Sequence, residues 1–171
     1  MKGSQSEGAM TSYHQRRPEK AIMDEGEMLE IIAGQNIMTL AMSKDNEPYL
    51  VTVNYGFDSV ERCFYFHCAR KGKKVDFLRA NPVVWGQILN DRGYRDGMCD
   101  HAFRTVHFRG TVTFLADEAD RRKAIEVMID HLESHPDEVK ARFSTPESLA
   151  KAALVKVQVQ EMTAKRNPAT M

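Results

Sequence analysis

The chain has 171 residues, enough for one domain with a sizeable core. Its 24 lysines and arginines balance 24 aspartates and glutamates, which excludes a global electrostatic pull toward nucleic acid or an acidic membrane. No apolar run reaches the length of a membrane span, no basic start leads into an apolar block, and three cysteines make no disulfide framework, so a reduced, cytoplasmic setting is expected.

Residues 1–15 are rich in Gly, Ser, Gln and Thr and lack periodicity. They are expected to form a flexible tail, with the folded domain over 16–163 and a short tail over 164–171. A helix is expected over 24–33, capped by Asp24 with Glu27 three residues on and stopped by Gly34. A first strand follows over 37–42, a turn at Asp45-Asn46-Glu47-Pro48, and a second strand over 49–57. In that strand Tyr49, Val51, Val53, Tyr55 and Phe57 share one side, with Thr52, Asn54 and Gly56 on the other. A third strand is expected over 62–68, a helix over 73–79 ended by Asn81-Pro82, and a fourth strand over 83–89. Residues 90–100 read as polar and irregular. The fifth and longest strand, 103–115, sets Val106, Phe108, Gly110, Val112 and Phe114 against Thr105, His107 and Arg109. Asp117 caps a helix to about 133 with Ile125, Met128, Ile129 and Leu132 inward; 135–147 is a polar connection, and 153–161 is a sixth strand. Six strands mostly adjacent in sequence, with three main helices, predict a mainly β protein with helices: a closed or partly closed antiparallel barrel.

The densest chemistry lies in Cys63-Phe64-Tyr65-Phe66-His67-Cys68-Ala69-Arg70-Lys71-Gly72-Lys73-Lys74. An aromatic strand runs into a turn carrying four cations in five positions, and a helix opens directly after it. Free N–H groups and the positive end of a helix dipole there suit a phosphate or another compact anion. Cys63 and Cys68, five apart on one strand, face opposite sides and cannot pair with each other. His67 shares a face with Tyr65 and is the candidate catalytic residue, against the plainer reading of a histidine bonded to a neighbouring carbonyl. Cys99-Asp100-His101 and the His131/His135 pair have spacings seen in metal sites, but no metalloprotease glutamate follows the first histidine, and no metal is expected.

Tyr49-Leu50-Val51-Thr52-Val53-Asn54-Tyr55-Gly56, then Tyr65 to Ala69 with Gly72-Lys73-Lys74, then Asn81-Pro82-Val83-Val84, together resemble the FMN-binding split-barrel superfamily. More narrowly they resemble its pyridoxamine-phosphate-oxidase-related group, which includes nitroimidazole-resistance reductases. Phe103 to Gly110 is similar to that group's next strand, and the likeness spans residues 16–162. It implies a six-stranded antiparallel split barrel with peripheral helices, usually a homodimer holding FMN in a groove between subunits. By the same resemblance Arg70, Lys71, Lys73 and Lys74 hold the flavin phosphate. Thr52, Val53 and Asn54 carry backbone along the ring. Tyr65, His67 and Ala69 line the cofactor, Gln87 reaches the polar edge of the ring, and Arg104 and Thr105 add contacts. The interface is expected near 104–109 and 51–55.

Two departures bear on activity. Oxidases of this group share a C-terminal block of arginine, tryptophan and proline, whereas here no tryptophan follows Trp85, so vitamin-B6 oxidase activity is not expected. Ala69 also stands where oxidases tend to carry a hydroxyl. The expected function is an FMN-dependent reductase or oxidase acting on a small planar substrate, with reduced nicotinamide as a possible donor. The alternatives are a flavin carrier or sensor, or a barrel holding haem or a deazaflavin.

Overall fold

The computed structural model describes residues 17–167; the expected N-terminal tail lies outside the described residues. A 3-10 turn, Pro18–Lys20, leads into β1 (Ala21–Ile22) and α1 (Glu25–Ala33). Then come β2 (Ile37–Lys44), β3 (Glu47–Asn54), β4 (Gly56–Asp58), β5 (Cys63–Cys68), α2 (Lys73–Ala80), β6 (Val83–Arg95) and β7 (Asp100–Phe114). Helices α3 (Glu118–Leu132), α4 (Pro136–Phe143) and α5 (Pro146–Lys151) precede the last strand, β8 (Ala153–Asn167).

The strands form one antiparallel sheet in the order β3-β2-β6-β7-β8-β5-β4, with β1 added against β8. Its two end strands, β3 and β4, are consecutive in the chain and separated only by Tyr55. The sheet therefore curls until its edges meet at that residue, and the chain itself, rather than a ladder, spans the gap. This is a split barrel, and Tyr55 is the post at the split. Its side chain is fully buried, its hydroxyl donates to the Ile32 carbonyl at 2.6 Å, and its ring meets Phe64 edge-on at 5.5 Å.

Several expectations are corrected. Among the described residues there are eight strands rather than six, because the expected strand over 49–57 breaks at Tyr55 and the short β1 is added. The segment 90–100 is not irregular: β6 runs on to Arg95 and β7 starts at Asp100, pairing Tyr94 with His101 across a register shift. Polar side chains hid the hairpin because both of its faces meet solvent. Residues 135–147 contain helix α4 and the start of α5. The last strand continues past 161 to Asn167, carrying the first four residues of the expected tail. Asn167 is held there by bonds from its amide to Asp100 and the His101 carbonyl.

The inner faces of the sheet make the main core, including Met38, Leu40, Val84, Ile88, Val106, Phe108, Val155 and Val157. Gly86 is a packing necessity within it: a Cβ there would lie 2.0 Å from Phe108 Cζ. The space it leaves lets Phe108 stack on Phe64 at 4.3 Å. A second core lies outside the barrel wall, where Cys63, Tyr65 and Leu154 meet Ala124, Met128 and Leu149 of α3 and α5. The helices thus cover the β4–β5–β8 side. The opposite wall keeps large apolar groups in solvent, Ile37 at 54%, Leu50 at 64% and Leu89 at 46% exposure.

A candidate anion and ring site along strand β3

The basic turn follows β5 directly. Gly72 is the N-cap of α2 with φ 126°, a conformation that favours glycine, and no side chain caps the helix. The first N–H groups of α2 are left available in a field of Arg70, Lys71, Lys73 and Lys74, a donor set that fits a phosphate. The cations are not all idle. Lys73 Nζ is 2.8 Å from Glu47 Oε1 and 4.7 Å from the Tyr49 ring centre, and the hydrogen bond to Glu47 holds its pKa above the usual lysine value. Lys74 Nζ lies 5.9 Å over Phe66, and Arg70 donates to the Ala150 carbonyl at 3.2 Å. Lys71 stands exposed at the tip. Ala69 is exposed as well and adds no polar group to the turn.

The Lys73–Glu47 pair pins the turn to the start of β3. Thr52 lies five residues further along that strand, about 17 Å at an extended rise. Thr52 and Asn54 are exposed, while Val53 is buried toward the core. The Asn54 amide donates to the Asn36 carbonyl at 3.1 Å. In the sheet, β3 pairs with β2 alone, so one side of its backbone has no strand partner.

Register sets Thr52 opposite Thr39, Thr39 opposite Gln87, Gln87 opposite His107, and His107 opposite Thr163. Directly opposed residues share a face. Five polar side chains therefore form one row across five strands on the uncovered wall. Gln87 Nε2 and His107 Nε2 are 3.1 Å apart in that row. Sequence reasoning found Thr52 and Gln87 but not Thr39, His107 or Thr163 as their companions. Strand order and register bring them together, and neither is written in local sequence.

The other expected residues lie off this row. Tyr65 is 3% exposed beneath α3, and its hydroxyl reaches Glu61 at 3.4 Å. His67 is exposed on the same face of β5 and borders a cavity of about 260 Å³ under α4 and α5. Thr105 is buried, its hydroxyl donating to the Ile88 carbonyl at 2.9 Å. Arg104 faces α1, with Nη1 3.8 Å from Glu27 and 3.7 Å from Glu30. Burial raises the pKa of both Cys63 and Cys68, so neither is an activated thiolate. Among the described residues no cluster of three His, Cys, Asp or Glu side chains is arranged to hold a metal ion.

The split sheet, the helix-covered side and the open wall beside a basic turn define a split-barrel protein. A family model described as pyridoxamine 5'-phosphate oxidase matches residues 24–166, and the chain belongs to that family. Among solved structures it is similar to a candidate 5-nitroimidazole antibiotic resistance protein from Bacteroides thetaiotaomicron (TM-score 0.70, 23% identity, 85% of this chain and 86% of that one). It is also similar to the flavocytochrome Anf3 from Azotobacter vinelandii (TM-score 0.75, 16% identity, 90% and 72% covered). A third likeness is to a FAD-binding protein from Mesorhizobium loti (TM-score 0.60, 19% identity, 85% and 96% covered). At these identities the likeness is one of fold. In sequence, an uncharacterised protein from Rhizobium meliloti is 33% identical over 67 residues, 39% of this chain and 42% of that protein.

Proposed function

We propose that this chain binds the FMN moiety of a flavin and acts as an oxidoreductase, a reductase or oxidase, on a small planar substrate. One observation carries the reading. A basic, uncapped helix start is pinned to one end of strand β3, and a half-exposed polar row begins at Thr52 near its other end. A ligand that reaches both is elongated, with its anion at one end and a flat polar-edged body at the other. Family membership and the FAD-binding description of the Mesorhizobium loti neighbour support it.

Lys71 and the N–H groups of α2 hold the phosphate, with Arg70, Lys73 and Lys74 supplying further positive charge. The unpaired edge of β3 at Thr52–Asn54 runs along the ring, and Gln87 with His107 meets its polar edge. A bound flavin supplies reversible one- and two-electron transfer. The protein's part is to orient it, exclude water from one face and offer hydrogen bonds to its edge. The bare wall leaves the other face open, so a second copy of the chain completes the site, and the functional unit is a homodimer. The three free cysteines suit a reducing, cytoplasmic setting. No helix among the described residues is long and apolar enough to cross a membrane.

The test is the visible spectrum of freshly purified protein, followed by turnover of reduced nicotinamide with a nitroaromatic acceptor. A flavin spectrum that survives gel filtration and is released by denaturation supports binding, and acceptor-dependent oxidation of the nicotinamide supports the enzyme. A bound flavin without turnover leaves a carrier. A colourless protein that takes up no added flavin contradicts the reading.

A further inference from the structure

The cavity beside His67 has no part in the site along β3. It is walled by Ile125, Phe143, Leu149 and Leu154, with Ser148 and Lys151 among its polar lining. Phe143 keeps 49% of its surface exposed, a large aromatic ring left without full cover. The cavity opens next to the basic turn: Arg70 bonds to the carbonyl of Ala150, which lies between the lining residues Leu149 and Lys151. His67 is three residues from Arg70, at most about 10 Å of extended chain. The turn therefore sits between two surfaces, the β3 wall on one side and this cavity on the other. Arg70 stands at the cavity's edge through its bond to Ala150, and Lys151 lies in its lining.

We infer that the cavity takes the adenylate half of a dinucleotide flavin, so that FAD rather than FMN is the preferred ligand. The inference rests on the flavin reading above. The first phosphate lies at the basic turn, as FMN would place it. The second continues past Arg70 and Lys151 toward His67, and adenine enters between Phe143 and Leu149. A volume of about 260 Å³ holds a purine and part of its ribose. Apolar walls receive the faces of the base, and Ser148 and Lys151 meet its polar edge or the ribose.

Affinities of the full-length protein for FMN and FAD, read by flavin fluorescence, test this. FAD is expected to bind at least tenfold more tightly. Phe143→Ala removes one wall and Ser148→Trp fills the space; each is expected to erase the preference by weakening FAD while leaving FMN within twofold. FMN binding as tightly as FAD overturns the inference and leaves the flavin reading intact. If neither flavin binds, the flavin reading fails. Titration with ADP then decides the cavity alone: saturable binding lost in Ser148→Trp retains the nucleotide pocket, and no binding overturns it.

Discussion

At the scale of single residues, the turn Arg70–Lys74 concentrates what the protein offers an anion. A charge-assisted hydrogen bond contributes about 1.5–3 kcal/mol, so replacing Lys71 and Lys73 together by alanine should weaken flavin binding by roughly two to four orders of magnitude. Folding should change little, because both side chains are exposed. Titration of both proteins with FMN checks this, and unchanged affinity would remove the phosphate from the turn. A second cluster, at the far end of β5, bears on the pH dependence of stability instead. Lys123 bridges Asp58 and Glu61, and Lys156 joins Glu61 at 2.7 Å. Hydrogen bonds from Lys123 and Lys156 hold Glu61 below its ordinary 4.5. Asp58 is lowered too: burial works against it, but bonds from the Glu61 N–H and Lys123 prevail. Depressed carboxyls lend stability that is full above about pH 4.5 and fades as pH falls through their folded values. Lys123, raised by the same bonds, loses its share only as pH climbs past 10.5 toward its own folded value. Melting temperatures of Lys123→Met and the parent should therefore differ at neutral pH and converge in strong acid. A gap that persists at pH 2 would contradict the assignment. The basic turn was legible as a run of like charges before a helix. The restraint of Lys73 by Glu47 was not, because 26 residues separate them and only the packing of α2 against the β2–β3 hairpin brings them together.

At the scale of elements, the fold depends on a few close contacts. Gly86→Ala should destabilise by about 1–3 kcal/mol or more, because a methyl group there must displace the Phe108 ring from its stack on Phe64. Phe108→Ala should cost about 3–5 kcal/mol by opening the main core. Chemical denaturation reads both, and a Gly86→Ala protein as stable as the parent would mean that Phe108 has room to move. Helix ends were well read from sequence: Asp24 accepts from the Glu27 N–H at 2.7 Å and Asp117 from the Ala119 N–H at 2.9 Å, as the capping patterns indicated. Strands were read by existence and face, but less well by length. Alternation of apolar and polar residues marks a strand only while one of its faces is buried. The outer half of β6, with Asp91, Arg92, Gly93 and Tyr94 all exposed, has no buried face, and neither has much of the end of β8. Tyr55 shows the opposite failure. It continues the alternation from Tyr49 to Phe57 without a break, yet it ends one edge of the sheet and begins the other. Its fixed point is a contact with Ile32, which no local pattern encodes.

At the scale of the whole molecule, the two walls of the barrel differ in what they leave open. Helices α3 and α5 cover the β5–β8 side, while the wall made by β3, β2, β6 and β7, continued at Thr163 of β8, keeps a half-exposed polar row and scattered large apolar side chains in water. A flat, polar-edged ring on that wall would have one face bare, and a second chain related by twofold symmetry is the simplest cover. Residues 51–55 and 104–109 then lie at or near the seam, with Leu50, Thr52, Gln87 and His107 facing it, whereas Arg104 is committed to α1 and Thr105 to Ile88. The interface should be large and apolar at its centre, as in obligate dimers. Light scattering coupled to gel filtration, with flavin absorbance followed across the same peak, tests the shared site most directly. A species of twice 19.5 kDa carrying one flavin per chain is the expected result. A single-chain mass with flavin still bound would contradict both the dimer and the site shared between its subunits.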